Sequence, residues 1–205
     1  MNNLILIRHG QSIWNLERRF TGWADVDLTD HGSAEAKYAG QLIKKLNIEF
    51  DAYFTSIQIR AINTLEIILD ILNKKNSEIK KAWELNERHY GALTGLNKDE
   101  MMKKHGKKQV HIWRRSFDVP PPPMEKTHPN HPSKNKAYKN IPSSKIPSCE
   151  SLKNTFERVM PYYEKNIKPL LSSNKNILIS AHGNSLRALC KKLLNISNKK
   201  IIDFE

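Results

Sequence analysis

The sequence predicts an α/β fold of three layers, α/β/α, with helices on both faces of a mostly parallel central sheet. Two observations lead there. A continuous apolar run at 4–7 and short strand-like runs at 51–55 and 177–180 are separated by longer stretches of helical periodicity. Each run also ends abruptly in polar residues, as a buried strand does at the rim of a parallel sheet. With 205 residues and no internal repeat, one domain spanning 1–205 is expected.

Residues 4–7, "LILI", form a continuous apolar run, the pattern of a strand buried on both faces. Leu28-Thr29-Asp30 then opens a helix. Thr29 is its cap, and Ala34, Tyr38, Leu42 and Leu46, four apart, are its expected buried stripe. Residues 51–55, "DAYFT", read as a second strand. Ser56 is expected to cap the long helix after it, with Ile59, Ile62, Ile67, Leu69 and Leu72 in its apolar surface. A third strand is expected at 79–85. Asn97 and Glu100 have the cap-plus-acid spacing of another helix start.

Prolines break the pattern from 119 to 147. Pro120 to Pro123 form a run, and Pro129, Pro132, Pro142 and Pro147 follow among Lys, Asn and Ser, which excludes long helix and central strand. The stretch is a linker or a long surface loop. Helical pattern returns at 150–171, interrupted by Pro161. The last strand, 177–180, is followed by a helix from about Asn184. There Cys190 falls in a pattern with Leu186, Leu189, Leu193 and Leu194 and reads as a small core residue.

Composition excludes several classes. Two cysteines, Cys149 and Cys190, cannot form a disulfide framework, so a reducing compartment is expected. The N-terminal apolar run is too short for a signal peptide and no stretch approaches a membrane span, which predicts a soluble, cytoplasmic protein with no membrane partner. The net charge of +13 favours anionic partners. The lysines, however, fall in scattered doublets such as Lys44-Lys45 and Lys191-Lys192, without the interleaved aromatics of a single-strand binder, and no nucleic-acid partner is expected.

In open parallel sheets, ligands bind beyond the carboxyl ends of the strands. Arg8-His9-Gly10, the stretch from Ser56 to Arg60, and His182-Gly183-Asn184 all lie there, so basic clusters distant in sequence are expected at one edge. A glycine after a strand allows close backbone approach, and a helix N-terminus supplies N–H donors to an anion. Arginine binds phosphate oxygens in pairs, each charge-assisted bond contributing roughly 1.5–3 kcal/mol. Two histidines so placed fit nucleophilic phosphoryl transfer. One imidazole attacks phosphorus, the other and the arginines stabilise the charge in flight, and a carboxylate handles the hydroxyl proton. Glu87, just past the third strand, is the candidate carboxylate; an ion pair with Arg88 is its structural alternative. Of eight histidines only His128 and His131 are close together, and no cysteine pair has zinc spacing, so no metal is expected.

These residues resemble the cofactor-dependent phosphoglycerate mutases of the histidine phosphatase superfamily. The similarity runs through "LIRHGQS", "FTGWADVDLT", "TSIQIRAINTL", "ELNERHYGALTGLNK", "WRRSFDVPPPP" and "ISAHGNSLRAL", and so covers nearly the whole chain. The resemblance implies a phosphoglycerate mutase-like fold. It implies His9 as the phosphorylated nucleophile, Glu87 as general acid and base, and His182 as transition-state stabiliser. It further implies phosphate and substrate contacts from Arg8, Ser12, Asn15, Thr21, Gly22, Arg60, Arg88, Tyr90, Lys98, Arg114, Arg115, Gly183 and Asn184. The implied reaction interconverts 2-phosphoglycerate and 3-phosphoglycerate in glycolysis and gluconeogenesis, primed by 2,3-bisphosphoglycerate and independent of metal. A homodimer is implied too, and the proline-rich stretch becomes a covering loop at about 119–147.

Gln11 stands where members commonly carry Glu. Members usually continue past the position of Glu205 into a mobile tail, and an enzyme without that seal is expected to lose phosphoryl groups to water. The alternative reading is a phosphatase of the same superfamily acting on a small phosphomonoester. A basic binding protein with an idle pocket is the rival from another class.

Overall fold

The structure is a computed structural model that describes residues 2–204. Four strands, β1 (Leu4–Arg8), β2 (Ala52–Thr55), β3 (Ile79–Lys81) and β4 (Ile177–Ala181), lie in the order β1-β4-β2-β3, with every pair parallel. In chain order the helices are α1 (Ile13–Leu16), α2 (Asp30–Lys45), α3 (Ile59–Ile71), α4 (Lys98–His105), α5 (Lys107–Arg115), α6 (Leu152–Tyr162), α7 (Lys168–Ser172) and α8 (Gly183–Leu193). The strands' twofold alternation divides the core. Tyr53 and Leu178 pack with Ile43, Leu65, Ile68 and Leu69 of α2 and α3, whereas Phe54, Ile177 and Ile179 pack with Val159, Leu186 and Leu189 of α6 and α8. This is the three-layer α/β/α arrangement with a parallel sheet that the sequence predicts.

Several local expectations change. The stripe expected to bury α2 faces outward instead: Tyr38 is 63% exposed, and Ala34, Leu42 and Leu46 are exposed with it. The buried stripe is Gly32, Ala36, Gly40 and Ile43. It is spaced four, four and three apart, and its small residues let α2 approach α3 closely, the Cβ position of Gly40 lying 3.1 Å from Ile71. Ser56 does not cap α3. Its hydroxyl is engaged by His182, and Gln58 occupies the N-cap without a side-chain bond. α3 buries Leu65, Ile68 and Leu69, while Ile59, Ile62, Ile67 and Leu72 are only half-buried. The third strand stops at Lys81, and Trp83–Leu85 forms a 3-10 turn. Pro161 lies inside α6, which widens into a π turn at Tyr163–Ile167. Cys190 is half-buried, with Leu193 and Leu194 exposed beyond it.

Thr29 and Asn97 cap α2 and α4 as expected, through Gly32 N–H and the Asp99 and Glu100 amides. The N-terminus of α2 also meets the loop after β1 backbone to backbone. A Cβ on Gly10 would lie 2.1 Å from Gly32 O, and one on Gly32 would lie 2.1 Å from Gln11 O. Thr29 N–H donates to Gln11 O and its hydroxyl to Gln11 Oε1, so a neutral amide serves at that position.

The 119–147 stretch consists of loop and short 3-10 turns pinned to the body. Tyr138 stacks on Trp23 with centroids 5.2 Å apart and donates its hydroxyl to Trp23 O. Ala92 N–H donates to Pro122 O.

Candidate active site

β1 and β4 are neighbours, with Arg8 opposite Ala181. His9 N–H continues the ladder to Ala181 O, so the residues after both strand ends, His9 and His182, are brought side by side. Their ring centroids are 5.0 Å apart. More than 170 residues of sequence separation are thus closed by one parallel pairing.

The tautomer of His9 follows from its partners. Nδ1 lies 2.6 Å from Gly10 O, which can only accept, so Nδ1 carries the proton. Nε2 lies 3.3 Å from Arg60 Nε, which can only donate, so Nε2 presents its lone pair. Burial, then the charges of Arg60 and Arg8, hold His9 well below the usual imidazole range against the opposing bond to Gly10. His182 is fully buried at the N-terminus of α8, its Nε2 2.7 Å from Ser56 Oγ and its Nδ1 without a hydrogen-bond partner among the described residues. Burial, Arg60 and His9 depress it likewise.

Arg60 comes from the first turn of α3 and is itself buried. Its remaining guanidinium groups donate to Ala24 O and Gly22 O, which fixes Nε against His9. Gly22 has φ +54°, a backbone conformation that favours glycine, and its Cβ position would approach Tyr90 N at 3.0 Å. Glu87 stands opposite. Its Oε1 accepts from Arg88 N–H, Asn184 N–H and Asn184 Nδ2, leaving Oε2 beside Gly183.

These groups surround a cavity of about 250 Å³. Of the residues expected from sequence, Arg8, His9, Asn15, Thr21, Gly22, Arg60, Glu87, Tyr90, Lys98, Arg114, Arg115, Gly183 and Asn184 line it. Three stand behind its wall. Ser12 is buried as the cap of α1, His182 lies beneath His9's ring, and Arg88 is buried with its guanidinium 4.8 Å from the Tyr90 ring centroid. Arg88 reaches the site indirectly, donating to Tyr90 Oη and Arg114 O. No residue of 119–147 lines the cavity; Lys98 of α4 and Arg114 and Arg115 of α5 supply that side.

Sequence reasoning missed Arg19, Phe20 and Arg187. Arg187 had a usable signal, since it lies three residues after Asn184 on α8 and therefore on the same face. It donates to Asn184 Oδ1.

Glu87 is the one acid in a lining that carries seven arginines and lysines, so the cavity fits a multiply charged anion. The cations strain against one another. Burial, then Arg115 and Arg88, pull Arg187 down to about 10, and burial with Arg114 lowers Lys98 despite the opposing influence of Tyr90. An anion in the cavity relieves both. Among the described residues no group of three or more His, Cys, Asp or Glu is placed to hold a metal ion. No helix among them is long and apolar enough to cross a membrane.

His9, His182 and the buried His89, whose imidazole burial and neighbouring cationic groups push down to about 3, make stability depend on pH. Each binds its proton more readily in the unfolded chain. Their contribution is complete above the unfolded value of about 6.5 and is lost as pH falls towards the folded value. His89 alone removes about 2 kcal/mol by pH 5. Chemical denaturation at pH 7.5, 6 and 5 is expected to show a steady fall in midpoint, and a flat profile contradicts the buried neutral imidazoles.

The comparisons with known proteins agree with this geometry. The model of the histidine phosphatase superfamily (branch 1) matches residues 4–130. A 2,3-bisphosphoglycerate-dependent phosphoglycerate mutase of Pelagibacter ubique (strain HTCC1062) is 56% identical over 201 residues, covering 98% of this chain and 84% of the relative. A protein of the same name from Erythrobacter litoralis (strain HTCC2594) is 55% identical over 205 residues, covering 100% and 89%. Among solved structures, a mycobacterial glucosyl-3-phosphoglycerate phosphatase complexed with VO3 superposes with a TM-score of 0.75 at 19% identity, covering 100% of this chain and 88% of that one, which shows the shared fold. With paired histidines at adjacent strand ends and these matches along its length, the chain belongs to the histidine phosphatase superfamily, in the family of 2,3-bisphosphoglycerate-dependent phosphoglycerate mutases.

Proposed function

We propose that this chain interconverts 2-phosphoglycerate and 3-phosphoglycerate through a phosphohistidine on His9, as a cytoplasmic enzyme of glycolysis and gluconeogenesis. The observation that carries the reading is the neutral His9 Nε2, presented beside His182 in a cationic cavity whose single acid is Glu87. 2,3-Bisphosphoglycerate, when bound, supplies the phosphoryl group that charges the enzyme. Its three anionic groups suit a lining of six arginines and one lysine.

His9 Nε2 gives its electron pair to phosphorus as the bond to the departing oxygen breaks. Glu87, the carboxyl group at the opposite side, gives that oxygen its proton and takes one from the acceptor hydroxyl in the return step. Arg8 and Arg60 neutralise the equatorial oxygens, and the N-terminus of α8 adds N–H donors at the same place. His182, packed against His9 behind the wall, supports the transition state from there. Asn15, Thr21, Gly22 and Gly183 shape the phosphate end. Lys98, Arg114 and Arg115, with Tyr90 and Asn184, hold the carboxylate and the second anionic group. Ser12 and Arg88 support these contacts from behind. No metal enters the scheme. The 1–205 chain acts as one domain and forms a homodimer, and the 119–147 loop backs the wall that keeps water from the phosphohistidine.

One assay tests the reading. Primed enzyme given 3-phosphoglycerate is expected to form 2-phosphoglycerate much faster than it releases inorganic phosphate. Dominant release identifies a phosphomonoester hydrolase instead.

A further inference from the structure

Behind the cavity wall lies a buried ion pair for which the phosphoryl-transfer scheme has no use. Arg158 of α6 and Glu150, just before that helix, meet in a two-pronged contact, Nε to Oε1 at 2.7 Å and Nη2 to Oε2 at 2.8 Å. Their side chains are 6% and 3% exposed, and neither lines the cavity. The rest of the guanidinium is spent on one short segment of backbone. Nη1 donates to the carbonyls of Trp83, Glu84 and Asn86, and Nη2 to those of Asn86 and Glu87. Glu150 Oε2 meanwhile accepts His89 N–H, and Glu150 N–H donates to His89 O. The pair therefore grips the chain on both sides of Glu87.

We propose that Arg158 and Glu150 are positioning residues that set the backbone of Glu87, so that its carboxyl group meets the departing and incoming oxygens. Arg158 supplies the grip, because only a planar fork of five N–H donors can hold a carboxylate and several carbonyls together. Glu150 supplies the countercharge that lets the guanidinium remain buried. Trp23 Nε1–H on Glu87 O and Gln58 Oε1 on Glu87 N–H complete the hold from the other side. Neither Arg158 nor Glu150 bonds to His9, Arg8 or Arg60, so loosening their grip disturbs proton transfer and leaves the nucleophile and its arginines in place. The inference rests on Glu87 as proton donor and so deepens the proposed function.

The test varies the leaving group. An alkoxide needs a proton as it departs from phosphorus; p-nitrophenolate does not. With Arg158→Lys, phosphorylation of His9 from 2,3-bisphosphoglycerate is expected to slow about 10- to 100-fold. Its rate with p-nitrophenyl phosphate and its affinity for vanadate should change less than about threefold. Glu150→Gln should show the same split. Equal losses on both esters, as general damage to the fold produces, or no loss on either, overturn the proposal. A wild type that ignores phosphoglycerates counts against the mutase reading alone. The same comparison, run with β-glycerophosphate as the alkyl ester, then still decides the clamp.

Discussion

Replacing His9 with alanine is expected to abolish phosphoenzyme formation and to cut turnover by a factor on the order of 10⁴ or more, the scale for losing a covalent nucleophile. The expectation rests on how little else in the cavity can take its place. His9 Nδ1 is tied to Gly10 O, which leaves Nε2 as the attacking atom, and burial among arginines keeps that atom unprotonated at neutral pH. His182 is no substitute: it is fully buried at the base of α8 with Nε2 committed to Ser56. Incubation with 2,3-bisphosphoglycerate radiolabelled in its phosphates, quenched in alkaline denaturant, is the measurement. The wild type should carry one acid-labile, base-stable phosphate per active site and His9→Ala none; equal labelling of the two removes His9 from its role.

Glu87→Gln is expected to lower kcat by about 10²- to 10⁴-fold with KM little changed. The amide oxygen of glutamine still accepts from Arg88 N–H and from both Asn184 donors, so the wall between β3 and α8 should keep its shape. What disappears is the exchangeable proton. Phosphoenzyme should form slowly from 2,3-bisphosphoglycerate and, once formed, pass slowly to phosphoglycerate. Pre-steady-state quench-flow separates the two steps, and near-normal rates in both exclude Glu87 as the acid and base.

The layer structure was legible in the sequence because parallel strands carry apolar runs, and residues 4–7 and 177–179 are such runs. The second is fully buried, whereas the first, expected to be buried on both faces, is only half-buried because β1 is an edge strand. The meeting of His9 and His182 was legible for the same reason, since strand ends fix position once the ladder is known. Helix faces were harder. On α2, two stripes both have helical spacing, and the choice between Tyr38-Leu42-Leu46 and Gly32-Ala36-Gly40-Ile43 depends on how near α3 comes, which periodicity does not encode. Ser56 was misread because a serine before a helix looks like a cap, while its hydroxyl is bound by a histidine 126 positions away. Arg187 was missed because α8 beyond Asn184 was read only for its apolar pattern, and Arg19 because it lies just past α1, outside any helix or strand. The Arg158–Glu150 contact left no sequence signal, since its targets are main-chain carbonyls.

Gly10 and Gly32 press main chain on main chain, each standing where a Cβ would run into the backbone of the facing segment. A seam of that kind has no slack. Side-chain interfaces absorb thermal motion by switching rotamers; two peptide planes in direct contact cannot. The aim of the nucleophile is therefore inherited from the stiffness of a sixteen-residue helix and not from local padding. An enlargement at either glycine therefore collides with main chain, Gly32 O in one case and Gln11 O in the other, and no change of side chain at the partner makes room for it.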